Sequence, residues 1–182
     1  EIPAKLHYVP VAGGVELAWR MNVQTVDTQH WYDASVRAVT GQVLEVVDWV
    51  SHFADYRVFA LPVENPDDGA RTLVRDPAQA TASPFGWHDT NGAAGAEFTV
   101  TRGNNVHAYA DRDNNNIPDP GSDPDGGGTL TFDFPLDLDE RPLLSQPAFV
   151  TNLFYWNNIV HDLAYNYGYD EAGGNFQVNN YG

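Results

Sequence analysis

Residues 145–168, S-Q-P-A-F-V-T-N-L-F-Y-W-N-N-I-V-H-D-L-A-Y-N-Y-G, decide how the rest of the chain is read. Phe149, Leu153, Trp156, Val160, Leu163 and Tyr167 recur at alternating spacings of four and three, which is one face of an α-helix. Ser145 or Gln146 can serve as the N-cap, and Pro147 suits the first turn, where its missing N–H is not needed. Gly168 supplies a left-handed stop. The opposite face carries Thr151, Asn152, Asn157, Asn158, His161, Asp162 and Asn166, with no Lys, Arg or Glu between Ala148 and Tyr167. A solvent-facing helix normally carries mixed charges, so this one is expected to pack on both sides. The polar face then reads either as core amides with partners or as the lining of a site.

Working outward, residues 1–50 read as a small antiparallel sheet of three or four strands. Leu17, Trp19, Met21 and Val23 alternate with polar or small partners, the pattern of a half-buried strand, and residues 43–48 form another. Turns fall at Gly13-Gly14, at 26–29 and at 39–42. Residues 49–55 look like a connection. Residues 56–61 alternate again up to Pro62, and a short strand is expected at 72–74 within dense Pro, Gly and Asp punctuation. Further short strands are expected at 98–101, 106–109, 130–134 and 176–178. The architecture is therefore α+β, a small sheet followed by a β-rich part with one long central helix.

Composition narrows the function classes. Hydrophobic residues make up 42% of the 182, enough for an ordered core. With 25 acidic against 9 basic residues the formal charge is −16, which argues against a nucleic-acid partner, since phosphate binding needs clustered cations. Acidity favours cations instead. No apolar run approaches membrane-spanning length, and there is no cysteine for a disulfide or a thiolate metal site.

Two constellations bear on metals. In D-R-D-N-N-N-I-P-D-P-G-S-D-P-D-G-G-G, residues 111–128, Asp111, Asp113, Asn115 and Asp119 stand at positions 1, 3, 5 and 9 of a calcium-loop spacing, with the Ile117 carbonyl at position 7. Calcium wants six to eight oxygens, and alternating short acids fold oxygens around one centre. The sixth position is Asn116 rather than Gly and the twelfth is Ser122 rather than Glu, so Asp123 or Asp125 would have to add charge. The plain alternative is a solvated acidic loop. The six histidines, His7, His30, His52, His88, His107 and His161, include no H-E-x-x-H pair, so no zinc site is legible.

Residues 152–162, N-L-F-Y-W-N-N-I-V-H-D, with Y-G-Y-D-E at 167–171 and G-N-F at 174–176, resemble the fungalysin family of secreted zinc metalloendopeptidases made with an inhibitory propeptide. S-P-F-G-W-H-D at 83–89 and T-R-G-N-N-V at 101–106 resemble it too, and residues 1–50 look like the tail of its PepSY-type propeptide. The resemblance implies a PepSY-like part at 1–51 and the N-terminal part of a thermolysin-like catalytic domain at 52–182. It implies secretion, protein or peptide substrates, and zinc as cofactor with ligands outside this chain. It also implies the remainder of the catalytic domain as partner, and sets Asp162 where related enzymes hold a calcium ligand. Calcium at Asp111, Asp113, Asn115, Ile117 and Asp119 is the one site expected within the chain. The competing reading is a non-enzymatic, calcium-stabilised β-rich binding or inhibitory module.

Overall fold

The computed structural model describes residues 2–24, 31–48, 54–63, 65–93 and 95–181. The turn expected at 26–29 and most of the connection expected at 49–55 lie outside the described residues. Two compact units are present, Glu1–Ser51 and His52–Gly182.

The first unit is an antiparallel sheet of β1 (Ala4–Val11), β2 (Gly14–Gln24), β3 (Trp31–Arg37) and β4 (Val43–Asp48), in sequence order. Gly13 (φ +99°) makes the tight reversal between β1 and β2, which pairs Val11 with Gly14. Register puts Leu6 and Val36 on either side of Trp19, with Tyr8 opposite Leu17, so one face is apolar. The expected burial of that face is reversed. Leu17 and Trp19 are each 40% exposed, whereas Ala18, Asp33 and Ser35 on the other face are buried. Long polar side chains cover the latter face: Arg20 Nε donates to Asp33 Oδ1 at 2.8 Å, Arg37 Nη2 donates to Glu16 Oε1 at 2.9 Å, and His7 Nε2 meets Ser35 Oγ at 3.1 Å. Alternation separates two faces, but does not say which is covered.

In the second unit β5 (Asp55–Val58) lies between β6 (Thr72–Arg75), antiparallel, and β7 (Thr131–Phe132), parallel. Asp55, Tyr56 and Val58 of β5 are buried, as suits a central strand. Tyr56 stacks on Phe132 with centroids 5.3 Å apart, and Trp87, Leu130, Val150, Phe154 and Tyr155 complete the core. Much of the remaining chain is pinned by side chains rather than by ladders. Segments 98–101 and 106–109 form only isolated bridges, Val100–Asp125 and Arg102–His107, instead of the expected strands. Segment 176–178 forms no strand either: Val178 N–H donates to the Asn104 carbonyl at 2.9 Å, and Asn179 N–H to Asn104 Oδ1 at 2.7 Å. Gly103 permits this route, because a Cβ there would stand 1.5 Å from the Trp87 carbonyl oxygen.

The expected helix is α1 (Gln146–Tyr165), entered from a 3₁₀ turn at Pro142–Ser145. Ser145 does not cap it through its side chain. Its hydroxyl instead accepts from Asp137 N–H at 3.1 Å. Gly168 (φ +92°) ends the helix as expected, with Tyr169 N–H donating to the Ala164 carbonyl at 3.1 Å.

The polar side of the helix packs as expected, but most of the apolar repeat does not. Ala148, Val150, Thr151, Phe154, Tyr155, Asn158 and Asp162 are buried, while Leu153, Val160 and Leu163 are 51–58% exposed and Tyr167 86%. Phe154 and Tyr155 form a second aromatic stripe, and only that side brings the helix amides and Asp162 to hydrogen-bond partners. Burying the other stripe against β5 would have left those groups in water and the sheet core uncovered. No described helix is long and apolar enough to cross a membrane.

Candidate metal centre

The loop that follows Ala110 is closed at its neck. Asp119 N–H donates to the Ala110 carbonyl at 3.0 Å, and the buried Ser122 hydroxyl donates to the same oxygen at 2.8 Å. Asn114 (φ +58°) and Asn116 (φ +63°) take left-handed conformations that asparagine tolerates, and these turn the chain back on itself. The consequence is convergence: Asp111, Asp113 and Asp119 bring one carboxylate oxygen each to within 4.8 Å of one another. It is the one His/Cys/Asp/Glu group of three or more with such geometry among the described residues.

Within the loop, Asp111 accepts from the amides of Asn115 (3.0 Å) and Asn116 (2.8 Å). Partial burial pushes its carboxyl up. The backbone amides of Asn116, Asn115 and Asn114, with a bond to Asp113, outweigh that and hold it below the ordinary carboxylate value. Asn115 Oδ1 accepts from Ile117 N–H at 2.8 Å, and its Nδ2 donates to Asp113 Oδ2 at 2.8 Å. Asp119 is also held by the Arg112 guanidinium at 3.3 Å. Three carboxylates facing one point repel, and a hard divalent cation is the chemistry that such oxygens suit. Asp123 and Asp125 do not complete the set. Asp123 meets His107 Nε2 at 3.3 Å, and Asp125 Oδ1 accepts from Gly127 N–H at 2.9 Å.

Asp162 is a hub for side chains rather than an ion ligand. Its Oδ2 accepts from Gln79 N–H (3.0 Å) and Trp87 Nε1–H (2.9 Å), and its Oδ1 from the Ser83 hydroxyl (2.7 Å), with His161 Nδ1 at 3.0 Å. Four neighbours occupy a carboxylate that is 4% exposed. The calcium role implied for it is thereby corrected. The network continues through Asn105 Nδ2, which bridges Ser83 Oγ and Asn158 Oδ1 at 3.0 and 3.2 Å. The polar face of α1 thus ties loops to the helix, and the sequence signal was the absence of Lys, Arg and Glu beside so many amides.

The four described histidines do not converge. His88 is buried between Tyr56 and the Arg102 carbonyl, His161 lies between Asp162 and Gln177, His107 meets Asp123 and His7 meets Ser35. His30 and His52 lie outside the described residues. No described residues form a tetrahedral nitrogen–oxygen site of the kind zinc takes.

Residues 55–182 match the profile of the fungalysin metallopeptidases (M36). The chain is 36% identical to Extracellular metalloproteinase 2 of Trichophyton tonsurans over 98% of its own length and 28% of that protein's. It is 37% identical to Extracellular metalloproteinase MEP of Leptosphaeria maculans over 100% of its length, again 28% of the relative's. A third relative, Probable extracellular metalloproteinase 5 of Trichophyton verrucosum, is 39% identical over 93% of the chain and 26% of that protein. The chain therefore spans about 28% of the length of the first two relatives. The family match covers the whole unit that contains α1 and the acidic loop apart from its first few residues, and on that ground the chain belongs to the fungalysin metallopeptidases.

Proposed function

We propose that the chain is part of a secreted zinc metalloendopeptidase precursor that hydrolyses peptide bonds in proteins. Residues 1–51 are the C-terminal part of an inhibitory, PepSY-like propeptide, and residues 52–182 the N-terminal part of a thermolysin-like catalytic domain. The observation that carries this reading is the family match over 55–182, joined to relatives named extracellular metalloproteinases. Zinc would polarise the scissile carbonyl and activate water. The described residues offer it no ligand set and contribute scaffold in this reading, which takes the ligands and the general base from the rest of the catalytic domain. The exposed apolar stripe of α1 supports the remainder of the catalytic domain as the intramolecular partner, because contiguous exposed apolar surface marks an interface.

The purified 182-residue chain is expected to show no chelator-sensitive cleavage of casein, whereas a polypeptide extended to the length of the relatives shows it and regains it on adding zinc. Zinc-dependent cleavage by the 182 residues alone would sink this reading, as would an inert extended polypeptide.

Within the chain, the reading assigns calcium to the loop formed by Asp111, Asp113, Asn115, Ile117 and Asp119, supported by the convergence of three carboxylates at the sequence spacing of a calcium loop. A ligand that binds only the folded form adds about 2.7 kcal/mol at a hundredfold excess over Kd. Calcium is therefore expected to raise the melting temperature of the wild type by several degrees and to leave that of Asp113→Ala unmoved. Equal melting temperatures for wild type with and without calcium would show a solvated loop instead.

A further inference from the structure

Asp89 presents a buried carboxylate with one oxygen served and one orphaned. It is 0% exposed, and its Oδ1 accepts from Gly92 N–H and from the Tyr181 hydroxyl, both at 3.0 Å. Its Oδ2 has no hydrogen-bond partner. Buried carboxylate oxygens almost always find a donor, so this one requires an explanation.

The group beside it is Glu97, whose carboxylate folds back over the start of the same loop. Glu97 Oε2 accepts from Thr90 N–H at 2.6 Å and from the Thr90 hydroxyl at 3.2 Å, and Oε1 accepts from Asn91 Nδ2. Its own N–H donates to the His88 carbonyl at 3.2 Å, which closes the loop at the other end. The remaining charged and titratable groups nearby are turned away or neutral. The His88 ring points into the core at Tyr56, the Arg102 guanidinium lies over the Phe98 ring at 4.2 Å, and the Tyr181 phenol is itself a donor to Asp89. Among the described residues no ion pair joins a cation to either carboxyl group, and two neighbouring carboxyl groups cannot both ionise without cost.

We propose that Asp89 keeps a proton on Oδ2 and donates it to the Glu97 carboxylate, so that an acid–carboxylate hydrogen bond clasps the loop from Asp89 to Glu97 and fixes Tyr181 against it. The electrostatics agree in direction: burial pushes the Asp89 carboxyl up, and Glu97 adds to the rise, against the Gly92 and Tyr181 bonds. Because the folded value lies above the unfolded one, the clasp contributes fully below the ordinary aspartate value of 3.8 and is lost as pH rises through the folded value.

The decisive variant is Asp89→Asn, which places a permanent N–H donor where the proton sits and keeps the acceptor for Gly92 and Tyr181. Its melting temperature is expected to equal or exceed that of the wild type at pH 8, with the difference in its favour widening from pH 4 to pH 8. Asp89→Ala, which loses every bond, melts lower at both. In the wild type, the carbon-13 carboxyl resonance of Asp89 is expected to titrate above 3.8. A midpoint at or below 3.8, or an Asp89→Asn protein that melts at pH 8 as low as Asp89→Ala, would overturn the proposal. Calcium or magnesium that stabilises Asp113→Ala but not the Asp113→Ala/Asp89→Asn double variant would also overturn it, by showing an ion in the proton's place.

Discussion

Asp162→Ala is expected to lower the stability of the second unit by roughly 3–5 kcal/mol, enough to unfold a marginal domain. The carboxylate is 4% exposed and gathers Gln79 N–H, the Ser83 hydroxyl, Trp87 Nε1–H and His161 Nδ1. Alanine leaves these groups facing a void, and a buried donor without an acceptor costs about 1–3 kcal/mol. The losses do not simply add, because the four share one network. Asp162→Asn separates shape from charge. Its oxygen can serve Gln79 and Trp87, while its amide donates to Ser83 Oγ and His161 Nδ1, both of which can accept. It is expected to retain at least half of what alanine loses. Urea unfolding followed by tryptophan fluorescence measures both, since Trp87 reports the site directly. A loss below about 1 kcal/mol for alanine would show that water or rearranged side chains replace the carboxylate.

Acid is expected to destabilise the same unit through His88. Its Nδ1 faces the Arg102 carbonyl at 3.0 Å, so Nδ1 carries the hydrogen and Nε2 accepts from the Tyr56 hydroxyl at 2.7 Å. The ring is stacked on Phe132 and Phe154 with centroids 5.1 and 5.0 Å away. Burial pushes its pKa from 6.5 down to about 4, against the opposite pull of the Arg102 and Val100 carbonyls. A depressed value means that the unfolded chain takes up the proton first. The stabilising effect of a neutral His88 is thus complete above about 6.5 and disappears as pH falls through about 4, a loss of about 3 kcal/mol. His88→Gln, which cannot charge, is expected to flatten stability between pH 6.5 and 4 even if it is less stable at pH 7. Parallel pH profiles for wild type and His88→Gln would exclude His88 as the source. The Asp89–Glu97 clasp works in the opposite direction, so its variants should be kept apart from this comparison.

What the sequence determined by itself was local. The repeat from Phe149 to Tyr167 with Pro147 and Gly168 around it specified a helix, because backbone periodicity and termination depend on neighbours in the chain. The alternation of residues 1–50, with turns at Gly13 and Gly41, specified an antiparallel sheet for the same reason. The spacing of Asp111, Asp113 and Asp119 placed three carboxylates on one short loop, and short loops have few ways to fold. Family membership was also legible, in the runs around Asn152–Asp162 and residues 83–89.

The tertiary structure decided which faces are covered. Along α1 two stripes were available, and the one with more large aliphatic residues lies exposed because only the other delivers Asp162, Asn158 and Asn105 to each other and Phe154 to Tyr56. In the sheet the apolar face is the open one for a related reason: Arg20, Arg37 and His7 cover the buried acids and hydroxyls opposite. Strands at 98–101 and 176–178 failed to form although their residues favour them, since a strand exists only where a second one offers its edge: Asn104 pairs with Val178 and Asn179, and 98–101 makes only the isolated Val100–Asp125 bridge. Burial, pairing and the neutral state of His88 depend on groups far away in the chain, Tyr56, Phe132 and Phe154. Hydrophobic and electrostatic free energies are set by which surfaces meet, and a one-dimensional pattern does not contain that choice.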